Sequence, residues 1–229
     1  VLGHSLGEYS ALCSIGCISL SSAANILRIR GDAMQNAVKN IETSMVAVIG
    51  MELEIIEKEI DQINKTTNEV CEIANDNCPG QVILSGTKRL VDLISQKLKS
   101  LGARSIIELN VSAPFHCSLM KNASLTMQDA LNEVVIKTPR IKFINNVNAK
   151  FVHNTSEIKK LLVNQVQSRV RWRESIYEAS TLNLDFLIEI GPGRVLTGLN
   201  KRMNIDAEYF NISTLEDINN FLRNYGDDL

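Results

Sequence analysis

The sequence predicts an α/β fold in which a small strand-and-helix unit interrupts a larger α/β domain. Three observations carry that reading. Gly3-His4-Ser5-Leu6-Gly7 lies between the apolar pair Val1 and Leu2 and an apolar helical run, where a strand turns sharply into a helix. Between residues 44 and 110 the pattern runs strand, helix, strand, strand, helix, strand, a split βαβ unit of the ferredoxin-like kind. Downstream, LDFLIEIG (184–191) is a branched apolar run suited to a strand covered on both faces.

Taken in order, Val1 and Leu2 end a strand, and residues 8–40 form two helices broken at Gly16-Cys17-Ile18-Ser19. The second helix carries Ala23, Ile26, Leu27 and Met34 on its apolar side. MVAVIG (45–50) is a short strand, and 51–63 is an amphipathic helix with Leu53, Ile56 and Ile60 on one stripe. EVCEIAN (69–75) and QVILSG (81–86) are strands joined by a turn-rich connector, Asp76-Asn77-Cys78-Pro79-Gly80. A helix over 88–100 and a strand over 103–109 close the unit. NVSAPFHCSLM (110–120) then leads into a helix to about residue 134, and RIKFINNV (140–147) is a strand. Helices at 156–167 and 172–181 precede the 184–191 strand and the Gly191-Pro192-Gly193 turn. A helix over 194–202, an edge strand over 208–212 and a helix over 214–224 finish the chain. The large subdomain is therefore expected over 1–43 and 111–229, with 44–110 inserted.

Composition narrows the function. A chain of 229 residues, 45% apolar and 22% charged, can bury a substantial core. The formal net charge of −2 offers no basic field for nucleic acid. No apolar run approaches the roughly 20 residues that span a bilayer, so no membrane partner is expected. Five cysteines without a C-x-x-C pair fit reduced thiols in a cytoplasmic protein.

The chemistry centres on Ser5. A glycine two residues before and two after a serine suits a tight elbow that holds the hydroxyl above a helix N-terminus, where free N–H groups favour developing negative charge. Ser5 followed by Glu8 also fits a helix capping box. A serine needs a base, and the chain has only three histidines. His153 lies in a polar loop, and His4, next to the serine, suits a supporting role at the elbow. His116, opening a helix after Pro114, is the candidate base. No Asp is an obvious partner for its imidazole, so a backbone carbonyl or amide is an alternative. Arg28 and Arg30 sit two apart and cannot share a helix face. Arg30 precedes Gly31, where backbone can approach closely; it either faces solvent or grips a carboxylate through a bidentate pair.

GHSLGEYSAL followed by RIRGDAM, ANDNCPGQVILSG, VSAPFHCSLM and EIGPGRVLTGLNKR, in that order from Val1 to about Arg202, resembles the malonyl-CoA:acyl-carrier-protein transacylases of bacterial type II fatty acid synthesis. The resemblance implies an α/β-hydrolase-like large subdomain with an inserted ferredoxin-like small one. It implies an [acyl-carrier-protein] S-malonyltransferase that moves malonyl from malonyl-CoA to the phosphopantetheine thiol of acyl carrier protein through a malonyl-serine, with no cofactor and no metal. By the same resemblance Ser5 accepts the acyl group, His116 is the catalytic histidine, and the Leu6 N–H serves the oxyanion. The histidine-orienting carbonyl falls on Gln165 of NQVQSRVRW, whose side chain is then expected to matter little. Arg30 binds the malonyl carboxylate, Asn77 lies near the substrate entrance, and Phe115 is an aromatic typical of malonyl-selective members. A glycine-glutamine-glycine stretch supplying a second oxyanion N–H, with the first strands, is expected ahead of Val1. Arg169 stands where a proline is usual.

Two other readings remain at this stage. A thioesterase or lipase-like hydrolase on the same elbow is favoured by a solvent-facing Arg30 or an Asp on the His116 imidazole. A non-enzymatic scaffold or degenerate fragment is motivated by the segment expected ahead of Val1, and is separated from the transferase by whether Ser5 gains a malonyl group.

Overall fold

The computed structural model describes residues 1–226, which form two compact units, Val1–Ser175 and one beginning at Ile176. The first unit opens on helices α1 (Leu6–Ser14) and α2 (Leu20–Asn36), the latter capped by the Ser19 side chain accepting from the Ser22 N–H. Ala23, Ile26, Arg30 and Met34 are the buried residues of α2. One arginine therefore points inward on an otherwise apolar stripe, because residues three and four apart share a helix face, while Arg28 is exposed. Val1 bonds through its N-terminus to the Lys142 carbonyl and through its own carbonyl to the Ile144 N–H, the pattern of a parallel strand pair, though the pairing goes no further.

The expected insertion forms a sheet. Strands β1 (Thr43–Ile49), β2 (Cys71–Cys78), β3 (Gln81–Thr87) and β4 (Ser105–Glu108) lie in the order β2-β3-β1-β4, every neighbour antiparallel. Helices α3 (Leu53–Asn64) and α4 (Lys88–Ser100) connect them. Alternation divides the two faces: Val46 and Val48 join Ile56, Leu84, Ile94 and Leu98 in one core, while Met45, Ala47, Ala74 and Ile83 face the other way. The residues read as a connector, Asp76-Asn77-Cys78, are instead the irregular end of β2, and only Pro79 and Gly80 turn. The Asp76 N–H donates there to the Val170 carbonyl at 3.0 Å, and the Arg173 Nε donates to the Asp76 Oδ2 at 3.0 Å.

Helices α5 (Lys121–Asn132) and α6 (Thr155–Gln165) complete the larger core, which gathers Tyr9, Leu12, Ile26, Met127, Phe143 and Leu162. The strand expected over 140–147 does not form; Ile144 makes one isolated bridge, to Phe151. Beyond Ile144 the reason is local. The Asn145 side chain accepts from the Val147 and Asn148 N–H groups, both at 3.0 Å, closing an Asx turn that competes with a sheet ladder.

Helix α7 (Trp172–Ser180) runs into the second unit. There β5 (Phe186–Ile190) pairs in parallel with β6 (Glu208–Ile212), joined through α8 (Val195–Asn200). The Glu189 carboxylate accepts the Leu196 and Thr197 N–H groups at 3.1 and 2.7 Å, a charge placed at the positive end of α8. Helix α9 (Leu215–Tyr225) starts with a Thr214–Asp217 capping box and packs the rings of Phe221 and Tyr225 against Phe186 and Phe210. Within this stretch of chain Ile190, at the end of β5, is 81% exposed. No helix among the described residues is long and apolar enough to cross a membrane.

Candidate active site

The elbow is strained. Ser5 has φ 52° and ψ −102°, a conformation that costs a non-glycine residue about 1–3 kcal/mol. A Cβ on Gly3 would lie 2.0 Å from the Gly7 carbonyl oxygen, whereas nothing lies within 4 Å of one on Gly7. The turn thus needs its first glycine for close backbone approach. A Cβ on Gly31 also meets nothing within 4 Å, so no close approach explains that glycine either. Nor is Ser5 a capping residue, since its side chain makes no cap bond to α1.

The Ser5 Oγ lies 2.8 Å from His116 Nε2. His116 does not begin a helix; it occupies a turn at φ 60°, ahead of a short 3-10 segment at Ser118–Met120. Its Nδ1 lies 2.8 Å from the Gln165 carbonyl. A carbonyl can only accept, so Nδ1 carries the proton and Nε2 presents its lone pair to the serine hydroxyl. Arg30 Nη2 donates to the Ser5 Oγ at 2.9 Å and to Gln165 Oε1 at 3.2 Å. Leu6, the first residue of α1, turns an N–H with no intrahelical partner toward the start of the helix.

Gln165 contributes more than its carbonyl. Its Nε2 donates to the Ser5 carbonyl at 2.9 Å and to the Glu8 carboxylate, so the expectation that this side chain matters little does not survive the geometry. Asn146, read beforehand as part of a strand, is fully buried against the elbow; its Oδ1 accepts the Ser5 N–H at 2.8 Å and its Nδ2 donates to the Gly3 carbonyl at 2.7 Å. Nothing in the sequence spacing ties Asn146 to Ser5. Asn77 receives the His4 Nε2–H at 2.9 Å, and the His4 ring sits 5.5 Å from that of Trp172. Phe115 packs between the larger core and the inner face of the inserted sheet. His153 is exposed.

Burial, then the Arg30 charge, holds the His116 pKa far below its ordinary value, at about 3, so the imidazole is neutral at physiological pH. Burial pushes the Glu8 carboxyl up to about 7. A carboxyl whose folded pKa is raised contributes stability that is complete below its unfolded value near 4.5 and lost as pH rises through about 7. Glu8→Gln is therefore expected to flatten the decline in unfolding free energy between pH 4.5 and about 7, by up to about 1.4 kcal/mol per pH unit. Urea denaturation across that range reads the slope; a decline equally steep in the variant rules out Glu8 as its source. Among the described residues no group of three or more His, Cys, Asp or Glu could hold a metal ion.

The acyl transferase domain family matches residues 1–209. The chain is 40% identical over 216 residues to the malonyl CoA-acyl carrier protein transacylase of Bacillus subtilis strain 168, covering 94% of this chain and 68% of that protein. It superposes with a TM-score of 0.93 on the acyl-carrier-protein S-malonyltransferase of Bartonella henselae, at 43% identity over 99% of this chain and 71% of that one. A malonyl-transacylase solved in complex with its type II PKS acyl-carrier protein gives a TM-score of 0.93 at 34% identity, over 97% and 72% of the two chains.

Proposed function

Because the chain belongs to the malonyl-CoA:acyl-carrier-protein transacylases of the acyl transferase domain family, we propose that it carries malonyl from malonyl-CoA to the phosphopantetheine thiol of acyl carrier protein on Ser5. The observation that carries the assignment of roles is the chain of contacts Gln165 carbonyl, His116, Ser5, Arg30. In the first half-reaction the Ser5 oxygen attacks the thioester carbon while its proton passes to His116 Nε2. The Leu6 N–H faces the oxyanion. The C–S bond then breaks, His116 returns the proton to the coenzyme A sulfur, and malonyl-serine remains. In the second, His116 takes the proton of the carrier-protein thiol as its sulfur attacks the ester, and gives it back to the Ser5 oxygen as the C–O bond breaks. The Gln165 carbonyl keeps the imidazole in one tautomer throughout.

Arg30 is the group for the malonyl carboxylate. It is buried, and its Nε has no hydrogen-bond partner, a donor left for an incoming anion. Asn77 and Phe115 act behind this site, Asn77 by holding His4 and Phe115 by packing beneath the His116 turn. The hydrolase alternative required a solvent-facing Arg30 or a carboxylate on His116; Arg30 is 7% exposed, and a carbonyl meets Nδ1. Residues 44–110 are, on this reading, an insertion in an acyltransferase subdomain of 1–43 and 111–229, supported by the complete strand order of their sheet. The reading assigns the activity to the cytoplasm, supported by five free thiols.

Ser5→Ala is the direct test. Mixed with malonyl-CoA, the parent is expected to gain one malonyl group by intact mass and the variant none. The fold should persist, since Ser5 caps nothing and the substituted hydroxyl is a single small group. An adduct on the variant would move the nucleophile elsewhere.

A further inference from the structure

We infer that Asn146 is a positioning residue for the nucleophile: its side-chain amide clamps the backbone on both sides of His4 and so holds Ser5 in the conformation that reaches His116. The inference rests on Ser5 being the acyl acceptor. The Gly3 carbonyl and the Ser5 N–H bracket His4, and the Asn146 amide meets both, donating to the first at 2.7 Å and accepting from the second at 2.8 Å. A carbonyl and an N–H in one planar group, presented to a carbonyl and an N–H of the elbow, act as one rung of a sheet ladder would. Gln165 Nε2 approaches the same Oδ1 at 3.4 Å, so the clamp also touches the residue that orients His116.

The clamp is rigid. Asn146 is fully buried, and its own carbonyl accepts the Arg171 N–H at 3.0 Å. A single side-chain torsion separates the Ser5 backbone from its Oγ, so a change in the elbow's φ and ψ moves that oxygen directly. Ser5 at φ 52° persists only where its surroundings over-determine it. Without the amide, two backbone groups lose their partners, and the elbow is free to relax toward negative φ. The Oγ then leaves the 2.8 Å contact with His116, and the Leu6 N–H turns with it.

The test is the single-turnover rate of Ser5 acylation by malonyl-CoA, followed by rapid quench and intact mass. Asn146→Ala is expected to slow acylation by about 10²-fold, the scale of a 1 Å misplacement, with the half-saturating malonyl-CoA concentration unchanged. Asn146→Asp, nearly isosteric, keeps the acceptor for the Ser5 N–H and loses the donor to Gly3; it is expected to fall between, and it decides the matter if the alanine variant does not fold. Asn145→Ala is the control, a fully buried amide in the same loop whose side-chain bonds stay within residues 145–150. It is expected to acylate at the parent rate per folded molecule. Equal slowing in Asn145→Ala, or a parent rate in the Asn146 variants, overturns the inference. An adduct on Ser5→Ala overturns the nucleophile assignment instead, so the two failures are distinct.

Discussion

His116→Ala is expected to slow the acylation of Ser5 and the transfer to carrier-protein thiol together, by about 10²–10⁴-fold, the usual contribution of one positioned acid–base group. The two half-reactions fall together because one nitrogen serves both: Nε2, 2.8 Å from the Ser5 Oγ, is the only imidazole position left once Nδ1 is committed to the Gln165 carbonyl. Rapid-quench measurement of each half-reaction reads the two rates separately. A variant defective in one half only would mean that a second group moves the proton in the other. The same residue shapes acid sensitivity. A histidine whose folded pKa is depressed contributes stability that is fully present above its unfolded value near 6.5 and lost as pH falls toward about 3. His116→Ala should therefore unfold with a shallower loss of stability in that acid range, while the parent's acylation rate should not fall with a midpoint near 6.5.

The elements that the sequence displays and those it conceals differ in physical kind. Helix 88–100 and strand 208–212 coincide with Lys88–Ser100 and Glu208–Ile212, because each carries its periodicity within its own residues. Ser5 and His116 were legible for another reason: the elbow has a local signature, and three histidines leave few candidates. Gln165, Asn146 and Glu8 have no such mark. An amide bonding an elbow more than 140 residues away in sequence, as Asn146 does to Ser5, looks like any loop asparagine. A buried glutamate three residues after a serine looks like a capping partner. The errors at 76–78 and 145–147 share one cause, since side-chain hydrogen bonds decide there what apolar patterning does not. Polar Asp76 and Asn77 sit in a strand because Arg173 meets the Asp76 Oδ2, Val170 the Asp76 N–H and His4 the Asn77 Oδ1. Residues 145–147 leave the extended path because Asn145 closes a turn.

Arg30→Ala is expected to lower the preference for malonyl-CoA over acetyl-CoA by a few tens to a few thousand-fold. Malonyl differs from acetyl by a terminal carboxylate, which in a partly dry site must be paired to offset its desolvation. Truncating one member of such a pair costs roughly 2–5 kcal/mol, which gives that range of discrimination. Lysine supplies charge without the planar fork that holds both oxygens, so Arg30→Lys should recover only part of the ratio. Acetyl transfer should be maintained or improved in Arg30→Ala, for a reason specific to this site. The guanidinium is the second cause, after burial, of the low His116 pKa, and its removal lets the imidazole rise toward its ordinary range and become a stronger base. Two readouts thus move together: the ratio of kcat/KM for malonyl-CoA to that for acetyl-CoA falls, and the acid limb of acetyl transfer shifts to higher pH. The full chain, assayed with both thioesters across the pH range, supplies both. A shifted acid limb with an unchanged ratio would leave Arg30 as an electrostatic neighbour of His116 and place recognition of the malonyl carboxylate on another group. An unchanged ratio with an unchanged limb would remove Arg30 from the reacting centre, despite its 2.9 Å contact with the Ser5 oxygen.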